Sequence, residues 1–263
     1  MNARCIATCN PLKVVARLSS HGRPASTLRP AAPLANSFAS KSTFQTAGLL
    51  GVFGVNRPTE KRGSRSVTQA LFGGCKKAPT EAPPGKKLAT FAGGCFWGLE
   101  LAMQRIPGVE ETSVGYTQGS LPNPSYNLVC SGVTGHTEAV QVMYDPEEVS
   151  FESLMEVFLD KTDPTTLNRQ GYDQGTQYRS GVYFHDADQE AAANKILADV
   201  QKQLDAGEYY RAVFGPKVVV EVLAAGDYYI AEDYHQQYLE KGGRNGNKQS
   251  AAKGCKDTIR CYG

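Results

Sequence analysis

Short stretches of alternating apolar residues and of helix-spaced apolar residues succeed one another between residues 87 and 239. Apolar residues at positions 96, 99, 103 and 106 recur with helical spacing, and Pro107-Gly108 ends the helix that they predict. The predicted strands are 87–91, 109–116, 138–144, 181–184 and 217–223, and the predicted helices are 95–106, 151–158, 187–204 and 232–239. This order predicts an α+β two-layer sandwich of ferredoxin-like type, with a mixed sheet and helices on one face.

Charge is divided unevenly along the 263 residues. The first acidic residue is Glu60, and the seven charged residues before it are all basic. This head is also rich in Ser, Thr, Ala and Pro without any period, which predicts a transit peptide over residues 1–65 that directs the chain to the chloroplast stroma and is then removed. A disordered tail has an equally compatible composition and stays an alternative.

The remainder of the chain is acidic. Of the 28 basic residues 21 remain for it, against all 26 acidic ones, and this balance argues against nucleic acid or an anionic membrane as a partner. No apolar run reaches the roughly 18 residues that a membrane span needs. Seven cysteines are too few for a disulfide-dense scaffold in a chain of this length.

Composition also marks the ends of the folded part. Residues 66–86 are predicted to be a linker because GGCKKAPTEAPPGK is rich in Gly, Pro and Lys. Residues 87–240 form the predicted domain, and residues 241–263 a flexible tail that contains Cys255 and Cys261.

Cys95 follows a strand and two glycines and begins a helix. Unpaired N–H groups and the positive end of the helix dipole favour a thiolate there, so Cys95 is a candidate nucleophile, with Phe96 and Trp97 beside it as an aromatic patch. A buried structural cysteine next to a core Phe and Trp fits the same pattern equally well.

Glu138 alternates with Val140 and Val142 on one face of a predicted strand. A carboxyl on the buried face would be desolvated and protonated at neutral pH, and could then donate a proton. A glutamate at a strand end that reaches solvent is the alternative.

Hydrogen-bonding residues crowd the predicted loops. Asp173, Tyr178 and Arg179 in the loop DQGTQYRS, and Tyr126 in an earlier loop, are candidates for orienting a ligand, with a solvated turn or a packed ring as the alternatives.

Cys255 lies 16 positions after Leu239, and a coil of this length has a reach of roughly 20–25 Å. A tail thiol could therefore return to Cys95, as in a thiol redox cycle, or the tail thiols could have no role.

Four runs of sequence together carry a family resemblance. They are GGCFWGLE (93–100), TGHTEAV (134–140), DQGTQYRS (173–180) and the terminal GCKDTIRCYG (254–263). In this order they resemble the type A peptide methionine sulfoxide reductases, those of plant plastids in particular. The resemblance covers residues 87–261.

The resemblance implies a mechanism for each matched position. Cys95 attacks the sulfoxide sulfur and Glu138 protonates the departing oxygen. The other matched positions are Tyr126 and Tyr178 as phenols that hydrogen-bond that oxygen, Asp173 in the same polar shell, and Phe96 and Trp97 as the apolar wall around the substrate methyl group.

The resemblance also implies how the enzyme is recycled. Cys255 or Cys261 condenses with the sulfenic acid on Cys95, and thioredoxin reduces the disulfide. The implied substrates are protein-bound and free methionine S-sulfoxide. The expected protein is a monomer that uses no metal and no organic cofactor.

Two other classes are compatible with some of these residues. A cysteine hydrolase or acyltransferase would use Cys95 with His136 or His235 as its base. A metal-binding module would use Cys255, Cys261 and a histidine, although this cysteine spacing is not a familiar zinc pattern.

Overall fold

A computed structural model describes residues 76–260 of the chain. The predicted transit peptide, residues 66–75 of the predicted linker and Cys261 lie outside the described residues. None of the helices formed by residues 76–260 is both long and apolar enough to cross a membrane.

The described residues form eight strands, five helices and two single 3₁₀ turns. The strands are β1 (Lys87–Gly93), β2 (Val109–Thr117), β3 (Thr137–Tyr144), β4 (Arg169–Gln170), β5 (Asp173–Gln174), β6 (Ser180–Phe184), β7 (Glu221–Ala224) and β8 (Tyr228–Ile230). The helices are α1 (Phe96–Gln104), α2 (Tyr126–Cys130), α3 (Phe151–Lys161), α4 (Ala187–Ala206) and α5 (Tyr238–Lys241), and the 3₁₀ turns are Thr176–Tyr178 and Gly243–Asn245.

Six strands form one mixed sheet in the order β7-β6-β1-β3-β2-β8, while β4 pairs with β5 separately. All neighbours in the large sheet are antiparallel except β6 and β7. The long helices form one layer, because α1 packs against α3 and α3 against α4. The predicted α+β class is confirmed.

Aromatic side chains fix the helix layer to the sheet. The ring of Phe91 in β1 stacks on Phe151 and Phe158 of α3, with centroid distances of 5.8 and 5.5 Å, and both Phe91 and Phe158 are fully buried. Each such ring contributes roughly 1.5–3 kcal/mol through the apolar surface that it removes from water. This packing holds β1, and with it the position of Cys95, against α3.

Capping residues set the starts of α3 and α4. The Ser150 hydroxyl accepts a hydrogen bond from the Ser153 N–H at 3.2 Å, and an Asp186 carboxylate oxygen accepts one from the Gln189 N–H at 2.8 Å. Both contacts satisfy backbone donors that the first helical turn leaves without partners. The predicted starts of these two helices therefore agree with the structure.

Two predicted elements near the end of the domain are wrong. The expected helix over 232–239 is replaced by a turn followed by the short α5, because Gln237 lies in the left-handed region (φ +48°) and its N–H bonds to the carboxylate of Glu100. Of the strand predicted at 217–223 only residues 221–223 belong to β7, and four elements that the pattern did not predict, α2, β4, β5 and β8, are present.

Both segments that flank the predicted domain contact it. The Ala78 N–H donates to the Tyr228 carbonyl and the Ile230 N–H to the Lys76 carbonyl, each at 2.8 Å, so residues 76–78 lie along β8. At the other end, residues 246–260 have no regular structure, yet they are bound to the domain by the Arg105 side chain and by the hydrogen bond from the Gln249 N–H to the Leu239 carbonyl. The expected freely flexible tail is therefore a docked loop in this structure, because these hydrogen bonds replace the missing regular backbone pairing.

Candidate active site

Cys95 occupies the cap position of α1, at the turn where β1 passes into the helix. Gly94 lies at φ +80°, and a Cβ there would come within 2.5 Å of the Gln170 side chain, while one at Gly93 would lie 2.3 Å from the Thr162 hydroxyl. Both positions therefore need glycine. The half-buried Cys95 lines a cavity of about 320 Å³ together with Asp173 and Ile259.

Glu138 is buried beside the backbone that follows Cys95. The residue is 2% exposed on β3, and its Oε2 accepts a hydrogen bond from the Phe96 N–H at 3.2 Å. Burial raises the pKa of Glu138 to about 8, and the charge of Asp173 acts in the same direction against the opposing effect of the Phe96 N–H. The carboxyl is therefore mostly protonated at neutral pH.

Two phenols lie near this carboxyl. Burial raises the pKa of Tyr126 well above its usual range, and a hydrogen bond to Cys130 and the charge of Glu138 add to the effect. Burial also raises the pKa of Tyr178, which experiences the charges of Glu138, Asp173 and Cys95 as well. Both phenols keep their protons and can donate hydrogen bonds. The structure thus brings Cys95, Glu138, Tyr126, Tyr178 and Asp173 together.

Phe96 and Trp97 belong to one aromatic cluster. Phe96 is 1% exposed, with its ring 6.0 Å from Tyr116 and 5.3 Å from His235. Trp97 is half-buried and stacks on Tyr238 at 3.8 Å, with an angle of 15° between the ring planes. Phe96 therefore belongs to the core beneath the site, and Trp97 to its border.

The turn between β8 and α5 holds this cluster in place. Glu232 accepts hydrogen bonds from the Tyr116 hydroxyl at 2.9 Å and from the Tyr126 N–H at 3.0 Å. His235 is buried and accepts a hydrogen bond at Nδ1 from the Trp97 indole at 3.2 Å. Burial lowers the pKa of His235, so its imidazole is neutral at pH 7.

The sequence patterns do not reveal the supporting roles of this turn. They indicate His235 only as a candidate general base, and they predict a helix that includes Glu232 and Tyr238. The local signal was the density of polar and aromatic residues in EDYHQQY, which a helical periodicity obscures.

Glu100 fixes the turn from the side of α1. It is 1% exposed, and its carboxylate accepts hydrogen bonds from the Gln237 N–H at 2.9 Å and from the Gln237 side chain at 3.2 Å. Burial raises the pKa of Glu100 to about 7. Helix α1 therefore carries both Trp97 and, one turn further on, Glu100, whose carboxyl anchors the turn that packs around Trp97.

Each histidine that the hydrolase alternative requires has a ring nitrogen engaged in a hydrogen bond away from Cys95. His136 accepts a hydrogen bond from the Gly119 N–H at 3.1 Å, and its Nε2 lies 2.8 Å from the Leu121 carbonyl oxygen. His235 is bound to Trp97. Over residues 76–260 there is no group of three or more His, Cys, Asp and Glu side chains that could hold a metal ion.

Comparison with known proteins agrees with this geometry. A family model described as "Peptide methionine sulfoxide reductase" matches residues 87–260. The chain is 49% identical over 224 residues to the peptide methionine sulfoxide reductase of Lactuca sativa, covering 85% of this chain and 82% of that one. It is 52% identical over 205 residues to the Arabidopsis thaliana protein named "Peptide methionine sulfoxide reductase A4, chloroplastic", covering 76% of each chain.

Two solved structures are similar as well. Methionine sulfoxide reductase A of Corynebacterium diphtheriae superposes with a TM-score of 0.55 at 40% identity, covering 61% of this chain and 77% of that one. Reduced Mxr1 of Saccharomyces cerevisiae gives a TM-score of 0.54 at 35% identity, covering 62% and 88%.

A cysteine at a helix N-terminus with a protonated carboxyl and two phenols beside it suits thiol chemistry, and the relatives make the chain a thiol-dependent oxidoreductase. The chain belongs to the peptide methionine sulfoxide reductase family and, within it, to the type A enzymes of plants. The resemblance carried by the four sequence runs is thereby confirmed, and the protein is an enzyme of that kind.

Proposed function

We propose that this enzyme reduces the S epimer of methionine sulfoxide, free or within proteins, through a sulfenic acid on Cys95. The observation that supports this most directly is the hydrogen bond from the Phe96 N–H to a buried, protonated Glu138, which brings acid and thiol to one helix end. The Cys95 sulfur attacks the sulfoxide sulfur, and Glu138 gives its proton to the oxygen. The sulfur–oxygen bond of the substrate breaks and a new one forms to the Cys95 sulfur, so the substrate sulfur is reduced by two electrons and leaves as methionine, while Cys95 is oxidised to a sulfenic acid.

The other site residues discriminate between the groups on the substrate sulfur. Tyr126 and Tyr178 donate hydrogen bonds to the sulfoxide oxygen as it gains charge, and Asp173, which lines the cavity beside Cys95, interacts with Tyr178 through its charge. Trp97, backed by Phe96, forms the apolar wall for the methyl group. Because oxygen and methyl take fixed places, only one epimer presents its sulfur to Cys95.

The tail completes the catalytic cycle. The thiol of Cys255 or Cys261 attacks the Cys95 sulfenic acid, which forms a disulfide and releases water. Thioredoxin then supplies two electrons and two protons, and the thiols are restored. For this exchange the part of the tail that carries the attacking thiol moves to Cys95, which is the sense in which we propose that residues 241–263 are flexible.

Sequence composition and the similarity to known proteins support the remaining proposals on location, domain bounds and fold. We propose that residues 1–65 direct the chain to the plastid, that 66–86 link them to the catalytic domain at 87–240, and that the enzyme acts as a monomer. A chloroplastic name for a 52% identical relative supports the location. The central strand order β6-β1-β3-β2, antiparallel throughout, supports a ferredoxin-like core within the wider sheet.

The epimers of methionine sulfoxide test the proposed activity. With thioredoxin, its reductase and NADPH, we expect a peptide that contains the S epimer to be reduced and its R counterpart to remain at the uncatalysed rate. Chiral chromatography of the hydrolysed peptide measures both epimers, and the same assay is repeated with the free amino acid. Equal consumption of both epimers would contradict the proposed arrangement of methyl wall and oxygen donors.

The bond between His235 and Trp97 predicts an effect on substrate binding. We expect His235→Phe to raise KM about fivefold with little change in kcat, because a neutral hydrogen bond is worth roughly 1 kcal/mol and the indole then loses its fixed orientation. Trp97 is the only tryptophan, so a shift of intrinsic emission reports its new surroundings directly.

Two variants control this measurement. His235→Asn keeps an acceptor close to the position of Nδ1 and should restore much of the binding. His185→Phe removes a histidine that bonds to the Thr90 hydroxyl instead, and it should leave the emission unchanged. A His235→Phe enzyme with wild-type KM and emission would show that Trp97 needs no such support.

A further inference from the structure

The C-terminal loop is built around one arginine at the far end of α1. Arg105 follows the last residue of the helix and is 7% exposed. Its Nε donates to the Ser250 carbonyl at 2.8 Å, and its Nη1 donates to the Asp257 carbonyl at 2.6 Å. The Arg105 carbonyl in turn accepts from the Gly254 N–H at 2.7 Å. Arg105 thus binds the loop on both sides of Cys255.

A second residue closes the base of the same loop. The backbone N–H of Gln249 donates to the Leu239 carbonyl at 3.0 Å, which fixes the start of the loop beside α5. The side-chain amide of Gln249 donates to the Arg260 carbonyl at 2.7 Å and accepts from the Arg260 N–H at 3.0 Å. Residues 249 and 260 are thereby joined directly.

The loop also reaches the Cys95 cavity. Ile259, two residues after Asp257, lines that cavity together with Cys95 and Asp173. Cys95 and Arg105 lie at opposite ends of α1, which is roughly 13 Å long, so the loop runs along the helix from its anchor to the reactive thiol.

We propose that Arg105 and Gln249 are positioning residues for recycling, which hold the tail as a preformed loop and so shorten the free chain through which Cys261 reaches Cys95. This inference rests on the proposed function, since it concerns the second step of that reaction. In that step a tail thiol and the Cys95 sulfenic acid form one sulfur–sulfur bond, and water leaves with the sulfenic oxygen.

The size of the effect follows from chain statistics. With Asp257 held, Cys261 lies four positions beyond the anchor, whereas it lies twelve positions beyond Gln249 once the anchors are lost. Because effective concentration falls roughly as the −3/2 power of free chain length, a threefold longer segment lowers it about fivefold. If these contacts had no role in recycling, their removal would leave the rate of disulfide formation unchanged.

The test is a single turnover of the full chain without thioredoxin. Excess methyl sulfoxide substrate is added, methionine is counted by chromatography, and the sulfenic acid and disulfide are followed by dimedone trapping and mass spectrometry. For the double variant Arg105→Met with Gln249→Ala we expect a methionine burst of wild-type rate and amplitude, and disulfide formation at least about fivefold slower. Arg105→Lys, which keeps the charge without the two-pronged donor, should be slowed as a single variant.

Lys256→Met is the matched control, because it removes a basic charge from an exposed residue of the same loop. It should behave as the wild type. Disulfide formation in the double variant at or above the wild-type rate would overturn the proposal, and so would loss of its methionine burst, which would place these residues in the first step or in folding. Absence of a burst in the wild type would instead overturn the proposed function itself.

Discussion

Cys95→Ser should eliminate sulfoxide reduction, with the single-turnover rate falling to that of the uncatalysed reaction. A serine hydroxyl at the cap of α1 is protonated at neutral pH and is a far weaker nucleophile towards sulfur than a thiolate. It also cannot retain the substrate oxygen as a sulfenic acid, so the oxygen has no acceptor. We expect a loss of at least ~10⁴-fold, measured as methionine released per enzyme in the first turnover.

Cys255→Ser controls for the loss of any one thiol. Because it leaves the first chemical step intact, it should release close to one methionine per enzyme when no reductant is present. Circular dichroism establishes that both variants are folded. Methionine production above background by folded Cys95→Ser would mean that another group attacks the sulfoxide, and the assignment of the nucleophile would be wrong.

Glu138→Gln should slow the first chemical step by about 10²–10⁴-fold, the range for loss of a positioned general acid. Glutamine has the shape of the protonated acid and can still accept the Phe96 N–H hydrogen bond, but it has no acidic proton to give. The single-turnover rate measures this loss. Alkylation of Cys95 by iodoacetamide should continue, which shows that the thiol is present and accessible.

The pH dependence of the same step gives a separate check. Glu138 acts in its protonated form, and its pKa is raised to about 8, so the wild-type rate should fall as the pH rises through 8. Folding stability should also fall as the pH rises from the ordinary carboxyl pKa towards 8, because over that interval the unfolded chain ionises Glu138 while the folded chain keeps it protonated. The Glu138→Gln enzyme should lack this alkaline decline.

Glu100→Gln is a matched control for removing a buried carboxyl. Glu100 is as deeply buried as Glu138 and its pKa is also raised, yet it bonds to the turn at Gln237. Its replacement should alter the first step far less than that of Glu138. A Glu138→Gln enzyme with an unchanged single-turnover rate would assign proton donation to one of the phenols.

The sequence predicted the parts of the site that local patterns report. Two glycines between a strand and a helix placed Cys95 at a helix start, and the alternation around Val140 and Val142 placed Glu138 on the buried face. The hydrogen-bonding residues of the loops indicate Tyr126 and Asp173 only as candidates for orienting a ligand, and the family resemblance supplies their roles, because their loops have no period that could position them. In the structure these four residues lie near one another around the N-terminus of α1.

The elements that the sequence did not predict depend on contacts between distant residues. The turn at Gln237 replaces a plausible helix because its N–H meets Glu100, 137 positions earlier in the chain. The tail that composition assigned to a free coil is bound by Arg105, 145 positions before Ser250. No short stretch of sequence contains both partners of either bond, so propensity and periodicity cannot predict these two hydrogen bonds.

β3 is paired on both edges, to β1 and to β2, and it carries Glu138 at the end where it meets Tyr116. A slip of one residue would turn Glu138 to the opposite face, and such a slip would have to break the pairing on both sides at once. The segment 163–172, whose Gln170, Gly171 and Tyr172 line the Cys95 cavity, does not belong to this sheet. Enzyme designers who want to admit bulkier sulfoxides can therefore randomise that segment while the acid stays in register.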